Sequence, residues 1–194
     1  MSQHYTDIND HHLLSLLQEG AIGVIPTDTV YGLVARAADE SAVQRLYSVK
    51  ERPLQPGTII AAMSADIIDR GFSPAEVHRA ARFWPASVSV VMDASGVANY
   101  LKHVRTSLAV RIPDNPSLLN LLRQTGPLMT TSANVPKAPT SRTIDEAVAY
   151  FHDELDFYVD AGDLGKRPPS TIIGFDETDH IHTYRQGAVV ISEE

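Results

Sequence analysis

The apolar positions of the chain follow two spacings, one typical of helices and one of strands. Helical stripes recur five times, and each begins at a residue whose side-chain oxygen can cap a helix. The predicted helices start at Asn9 or Asp10, Asp39, Ser73, Asn115 and Thr143. Helical pieces are also expected between Ser64 and Arg82, with Pro74 at a first helical position.

Short runs rich in Val and Ile, bounded by Pro or Gly, predict strands. They cover residues 21–25, 58–63, 87–92, 107–112, 127–131, 157–160, 170–175, 181–185 and 188–191. Helices and strands alternate early, whereas strands cluster late and are expected to pair antiparallel. This order predicts an α/β fold with a mixed sheet, and we assign residues 1–194 to a single domain.

Composition narrows the classes of function. The 194 residues include no cysteine, which excludes disulfides, thiolate metal sites and thiol catalysis. No apolar run is long enough to span a bilayer, and the polar start of the chain lacks the pattern of a signal peptide, so we expect a cytoplasmic protein without a membrane partner. The net charge of −8 opposes extended binding to nucleic-acid phosphates. A polyanion site would have to be a local basic pocket.

Polar residues gather where the first predicted strand ends at Pro26. Thr27, Asp28 and Thr29 follow it directly, and ligands of open α/β sheets bind beyond strand ends. The same residues are also typical of an ordinary strand-to-loop turn. This stretch alone leaves both readings open.

Basic and hydroxyl side chains lie near other element ends. They are Lys50, Arg52, Arg111, Ser132, Asn134, Arg142, Ser170 and Arg185. If these ends converge, they form a basic pocket suited to a polyphosphate and a small carboxylate. Each also has an ordinary structural explanation: Lys50 can complement a helix C-terminus, Arg52 can be a solvated loop residue, and Arg111 can form a buried salt bridge. Ser132 and Asn134 can be turn or cap residues.

Several common site patterns are missing from the sequence. It has no Gly-x-x-x-x-Gly-Lys-Ser/Thr loop, no Gly-x-Gly-x-x-Gly and no Gly-x-Ser-x-Gly. The pairs His11/His12 and His180/His182 are interpreted as surface residues, and no metal ligands are assigned.

Six short motifs stand out along the chain. In chain order they are Pro26-Thr27-Asp28-Thr29-Val30-Tyr31-Gly32-Leu33, Lys50-Glu51-Arg52-Pro53, Phe83-Trp84-Pro85, Leu108-Ala109-Val110-Arg111, Ser132-Ala133-Asn134 and Ser170-Thr171-Ile172. Together they resemble the YrdC/Sua5 family, in its short, single-domain, TsaC-type form. The resemblance implies a twisted mixed parallel and antiparallel sheet with flanking helices around a basic concave cavity.

The resemblance also implies a threonylcarbamoyl-AMP synthase. Such an enzyme forms threonylcarbamoyl-AMP and pyrophosphate from L-threonine, bicarbonate or CO2, and ATP, with Mg2+ bound to the ATP. The product serves the N6-threonylcarbamoyladenosine (t6A) modification of tRNA, so proteins that transfer the threonylcarbamoyl group, and tRNA itself, are the implied partners.

Roles carry over by position in the motifs. Thr29, Arg111 and Ser170 match threonine contacts, and Lys50 and Arg52 match catalytic residues. The matching ATP contacts are Lys50, Arg52, Ser132, Asn134, Arg142 and Arg185. The sequence departs from the family pattern at Ala61, where many relatives have His, and at Pro136-Lys137, where Ser-Gly is usual.

The sequence leaves two alternatives to the synthase open. One is an RNA-binding module without catalysis, which the net charge disfavours. The other is a carbamoyltransferase that works through a carbamoyl-adenylate, as in related domains of hydrogenase maturation factors. Dependence on threonine separates the second alternative from the synthase.

Overall fold

The computed structural model describes residues 2–51, 56–176 and 178–191. The helices are α1 (His11–Gln18), α2 (Glu40–Val49), α3 (Ser64–Ile68), α4 (Pro74–Ala80), α5 (Asn99–Lys102), α6 (Pro116–Thr125) and α7 (Ile144–Phe151). The strands are β1 (Gln3–Tyr5), β2 (Gly23–Pro26), β3 (Tyr31–Arg36), β4 (Thr58–Ile60), β5 (Val88–Asp93), β6 (Ser107–Arg111), β7 (Leu128–Ser132), β8 (Phe157–Val159), β9 (Thr171–Phe175) and β10 (Ile181–Arg185). Short 3-10 turns follow α4 and α7.

The described strands form one sheet in the order β1-β8-β2-β3-β7-β4-β6-β5-β9-β10. Four neighbouring pairs are parallel, β1–β8, β8–β2, β4–β6 and β5–β9. The other pairs are antiparallel. The predicted single α/β domain with a mixed sheet is therefore confirmed, including the antiparallel pairing of β9 with β10.

Successive buried residues of the central strands enter different cores because side chains alternate across a sheet. Val24 and Leu33 belong to the larger core, which α2 and α7 help to form, whereas Ile25 and Val34 belong to a second core. This second core also contains the apolar stripes of α1 and α6. The sheet is thus covered by helices on both faces.

The second core does not extend along the whole length of these strands. Val34 on β3, Leu128 on β7 and Ile60 on β4 are buried in it. Two residues further along the same strands, and so on the same face, stand Gly32, Thr130 and Thr58, which line a cavity instead. The apolar face therefore gives way to small and polar residues, and this change positions the candidate site.

Helix starts were predicted well because capping is a local interaction. Asp10, Asp39, Asn115 and Thr143 each accept a hydrogen bond from a backbone N–H of the first turn. Ser73 stands at the start of α4 without such a side-chain bond. Within the described ranges, no helix is long and apolar enough to cross a membrane.

The structure differs from the sequence prediction at four elements. Strands β1 and β3 and the short helix α5 were not predicted, and β3 pairs with β2 directly after the Thr27–Thr29 loop. The strand predicted over residues 188–191 is wrong, since this segment forms a bend without strand pairing. Its backbone is held instead by the Thr171 hydroxyl, which accepts from Val189 N at 3.1 Å and donates to Val189 O at 2.5 Å.

Candidate functional site

A cavity of about 340 Å³ opens on the sheet face beyond α1 and α6. Its walls come from the β2–β3 loop, the facing strands β3, β7 and β4, the end of β6, and the β9–β10 hairpin. The lining residues are Thr27, Thr29, Val30, Gly32, Pro56, Gly57, Thr58, Arg111, Thr130, Thr131, Ser132, Pro169, Ser170, Ile172 and Arg185. The structure thus brings together five of the predicted site residues: Thr29, Arg111, Ser132, Ser170 and Arg185.

The β2–β3 loop is ordered by its own hydroxyl groups. The Thr27 hydroxyl donates to Val30 O at 2.6 Å and accepts from Thr29 N at 3.2 Å. The two threonine hydroxyl oxygens lie 3.1 Å apart, and both residues are only 4% exposed. This stretch is therefore both a strand-to-loop turn and part of the cavity wall. The same hydrogen bonds close the turn and fix Thr29 at the cavity.

Arg111 at the end of β6 enters the cavity wall as half of a buried ion pair. Its Nη2 donates to Asp28 Oδ1 at 2.9 Å, and Ser87 donates to Asp28 Oδ2 at 2.7 Å. Among the described residues, the buried Nε of Arg111 has no hydrogen-bond partner. Burial lowers the pKa of the Arg111 guanidinium, and the Asp28 carboxylate opposes this shift. The buried salt bridge foreseen for Arg111 is present, and it coexists with a place in the cavity wall.

Arg185 faces the same cavity from the end of β10. Its Nε and Nη2 donate to Ser170 O at 3.2 and 2.8 Å, which orients the guanidinium. Burial lowers the pKa of Arg185, and the positive charge of Arg111 lowers it further. Two like charges that repel each other across one cavity favour an anionic ligand, because an anion stabilises both of them.

One rim of the cavity is held by a buried tyrosine. The Tyr47 hydroxyl donates to Leu101 O at 3.1 Å and accepts from the N–H of Gly57, a lining residue, at 3.2 Å. A side chain at Gly57 would collide with the sheet, since an added Cβ would lie 2.3 Å from Thr130 O. Gly57 therefore allows the rim to approach β7 closely.

Alkaline titration of Tyr47 is expected to destabilise the chain. Burial raises the pKa of Tyr47 from 10.0 to about 12, although the hydrogen bond from Gly57 opposes the shift. The folded state therefore keeps the phenol proton after the unfolded state has lost it, and the free energy of unfolding falls as the pH rises from 10 to about 12. Urea unfolding across this range should show a shallower fall for Tyr47→Phe than for the unsubstituted chain. The control is Tyr184→Phe, because Tyr184 is 60% exposed, and this variant should behave like the unsubstituted chain. If the free energy of unfolding fell equally steeply with pH in Tyr47→Phe and in the unsubstituted chain, the raised pKa of Tyr47 would be contradicted.

Lys50 lies behind the cavity wall and is fully buried. Its Nζ donates to the backbone oxygens of Ser132 and Asn134, and to Asn134 Oδ1 at 2.7 Å. The Ser132 hydroxyl donates to the same Oδ1 at 2.6 Å, and Asn134 Nδ2 donates to Ala138 O at 2.7 Å. Lys50 and Asn134 therefore fix the turn that follows β7, and of these three predicted residues only Ser132 lines the cavity.

Two other predicted residues lie elsewhere. Arg142 is exposed and pairs with Asp163, with Nη2 and Oδ2 2.5 Å apart, so it does not line the cavity in this structure. Arg52 lies outside the described residues. Ala61 is fully buried in the larger core and is likewise absent from the cavity wall.

The described part of the chain contains no group of three or more His, Asp or Glu residues that could hold a metal ion. The lining residues offer hydroxyls and guanidiniums, and a guanidinium repels a cation. These residues do not fit a protein-held Mg2+, which prefers carboxylate oxygens, so we derive no step through such an ion.

Sequence reasoning missed the residues that support the site from outside it. Ser87 and Ser89 were read only as part of a strand, yet Ser87 binds Asp28 and Ser89 binds Arg111 and Ser170. Tyr47 is one of the buried residues of α2, and the sequence alone does not mark it as a residue near a site. The available signal was weak, consisting of two serines in an otherwise apolar strand, where a hydroxyl needs a partner.

The known proteins most relevant to this site agree in family and fold. The Sua5/YciO/YrdC family model, whose description is "Telomere recombination", matches residues 15–187. The threonylcarbamoyl-AMP synthase of Pseudomonas aeruginosa (strain UCBPP-PA14) is 34% identical over 161 residues, which cover 81% of this chain and 87% of that protein.

Two solved structures superpose on most of the chain. P. abyssi Sua5 complexed with L-threonine has a TM-score of 0.81 and 26% identity, covering 96% of this chain and 57% of the Sua5 chain. E. coli YciO also has a TM-score of 0.81, with 23% identity and 96% of both chains covered. The present chain thus spans little more than half of the Sua5 chain, whereas it matches YciO over nearly its whole length.

Proposed function

Because the chain belongs to the Sua5/YciO/YrdC family, we propose that it is a threonylcarbamoyl-AMP synthase that combines L-threonine, bicarbonate or CO2, and ATP and releases pyrophosphate. The observation that carries this proposal is the pair of guanidiniums, Arg111 and Arg185, in one wall of small hydroxyl residues. Such a wall can hold a small hydroxylated amino acid beside a polyphosphate.

The amino-acid end of the proposed site is built around Arg111. Its N–H groups are not all used by Asp28 and Ser89, so the guanidinium can donate to the threonine carboxylate. Thr29 and Ser170 provide hydroxyls in the same cavity wall. The complex of the related P. abyssi Sua5 with L-threonine supports an amino-acid site in this fold.

The nucleotide end is assigned to Ser132 and Arg185, which line the same cavity. Lys50 and Asn134 support this end by fixing the turn that carries Ser132. A direct contact of Lys50, Arg52 or Arg142 with the phosphates stays a prediction from the family motif. For Arg142 that contact requires release of Asp163.

The proposed chemistry needs positioning and charge compensation more than covalent help. The threonine amine adds to CO2 and loses a proton to bicarbonate, water or a phosphate oxygen, which gives a carbamate. A carbamate oxygen then attacks the α-phosphate of ATP, and pyrophosphate leaves. Arg111 and Arg185 reduce the repulsion as the two anions approach. We assign no protein general base, because the Asp28 carboxylate is buried, pairs with Arg111 and does not line the cavity.

The proposed function also implies a role for Mg2+ and a next step for the product. Mg2+ enters as the counterion of ATP rather than as a protein-held ion. The product is threonylcarbamoyl-AMP, from which a separate transferase must move the threonylcarbamoyl group to tRNA with release of AMP, and this transfer gives the t6A modification. We treat residues 1–194 as one YrdC-like domain carrying the whole site.

Pyrophosphate release tests the function directly. Release should require L-threonine, bicarbonate and ATP together. Omission of L-threonine or bicarbonate should reduce it to the background of ATP alone, and omission of ATP should abolish it. Release that does not respond to threonine would contradict the synthase. Release that persists with carbamoyl phosphate and ATP in place of threonine and bicarbonate would favour the carbamoyltransferase alternative. Salt-sensitive RNA binding without turnover would favour the RNA-binding module.

A further inference from the structure

Two buried hydroxyls connect the two cavity arginines. The Oγ atoms of Ser89 on β5 and Ser170 before β9 lie 3.0 Å apart. Arg111 Nη1 donates to Ser89 at 3.3 Å, and Arg185 Nη2 donates to Ser170 Oγ at 3.2 Å. Ser89 is fully buried and does not line the cavity, whereas Ser170 does.

The direction of the bond between the two hydroxyls follows from counting donors. A serine hydroxyl has one proton and two acceptor positions. If Ser170 donated to Ser89, both acceptor positions of Ser89 would be filled and its own proton would have no acceptor among the described residues, inside a fully buried site. If Ser89 donates to Ser170, the fully buried Ser89 proton is paired, and the proton without a protein acceptor is that of Ser170, which lines the cavity. The second arrangement is favoured because an unpaired buried donor is costly.

The favoured arrangement has a consequence for the cavity. With Ser89 and Arg185 both donating to it, the Ser170 oxygen has no acceptor position left. Its proton is then the one hydroxyl hydrogen of this pair without a protein acceptor among the described residues. Because Ser170 lines the cavity, that proton is available to a bound molecule.

We propose that Ser89 is a positioning residue: by donating to Ser170 it turns the Ser170 hydroxyl into a fixed hydrogen-bond donor for an acceptor oxygen of L-threonine. This inference rests on the proposed function and adds to it a residue that does not touch substrate. It also makes Ser170 a donor only, so the ligand atom it meets must carry a lone pair.

The test is a double-mutant cycle read out by the KM for threonine and the KM for ATP. Ser89→Ala and Ser170→Ala should each raise the KM for threonine about fivefold, the size of one neutral hydrogen bond, with little change in the KM for ATP. Because Ser89 acts through Ser170, the effect of Ser89→Ala should fall below about twofold in the Ser170→Ala background. Ser89→Thr keeps the hydroxyl and should restore the KM for threonine.

The matched control is Thr125→Val, which removes a buried hydroxyl at the end of α6, away from the cavity lining. It should destabilise the chain without changing either KM. Effects of Ser89→Ala and Ser170→Ala that simply multiply would overturn the role of Ser89 while leaving the proposed function intact. No threonine dependence in the unsubstituted chain would overturn both.

Discussion

Replacing Arg111 with alanine is expected to weaken L-threonine binding by one to two orders of magnitude while changing ATP binding far less. Arg111 lines the cavity with N–H groups to spare, and a hydrogen bond to a charged group contributes about 1.5–3 kcal/mol. Isothermal titration of each ligand separately measures the two affinities. Equal losses for threonine and ATP would contradict the assigned carboxylate contact.

The Arg111 substitution needs a control for folding, because it leaves Asp28 buried without its cation. The Asp28 side chain is 2% exposed, and removing one partner of a buried pair costs about 3–5 kcal/mol. The double variant Asp28→Ala/Arg111→Ala removes the unpaired carboxylate and should recover stability but not threonine binding. Arg36→Ala removes an arginine that donates to Thr125 O and Gln18 O outside the cavity, and should leave both affinities unchanged.

Replacing Lys50 with methionine is expected to destabilise the chain strongly, by about as much as the loss of Arg111 from its buried ion pair. The fully buried ammonium donates to two backbone oxygens and one amide oxygen of the Ser132–Asn134 turn. Loss of these bonds leaves buried acceptors unpaired, for which we expect a fall of about 3–5 kcal/mol in the free energy of unfolding. Urea unfolding followed by circular dichroism gives this value.

A second buried lysine provides the comparison for Lys50. Lys102 is 8% exposed, and its Nζ donates to Ala94 O at 2.6 Å and Ser95 O at 3.1 Å, far along the chain from the Ser132 turn. Lys102→Met should also destabilise the chain, yet it should leave ATP affinity unchanged once folded. Lys50→Met should reduce ATP affinity even under conditions where the chain remains folded. Stability of Lys50→Met equal to that of the unsubstituted chain would show that the turn does not depend on the ammonium.

Local interactions made much of the fold predictable. Asp10, Asp39, Asn115 and Thr143 act within the first turn of their own helices, so the sequence around each one suffices. Strand β3 was not predicted; its segment follows the polar Thr27–Thr29 stretch directly. Its burial depends on pairing with β7, about a hundred residues away.

In the candidate site, the lining residues were predictable from the sequence, whereas their hydrogen-bond partners were not. The family resemblance implied that Thr29, Arg111, Ser132, Ser170 and Arg185 belong to one site, and all five line one cavity. The partners of these residues were not predictable, because Asp28 meets Arg111 and Ser89 meets Ser170 only after the sheet has formed. The burial of Lys50 was not predictable for the same reason. The oxygens that accept from its ammonium belong to Ser132 and Asn134, which are far from Lys50 in sequence.

The most direct test of the account is to identify the product. The chain is incubated with ¹³C-bicarbonate, ¹⁵N-threonine and ATP, and the nucleotide product is analysed by mass spectrometry alongside pyrophosphate release. A threonylcarbamoyl-AMP synthase should form an adenylate that carries both the ¹³C label and the ¹⁵N label, in an amount equal to that of pyrophosphate. An adenylate that contains ¹³C but no threonine nitrogen, or pyrophosphate release without any labelled adenylate, would contradict the proposed synthase activity.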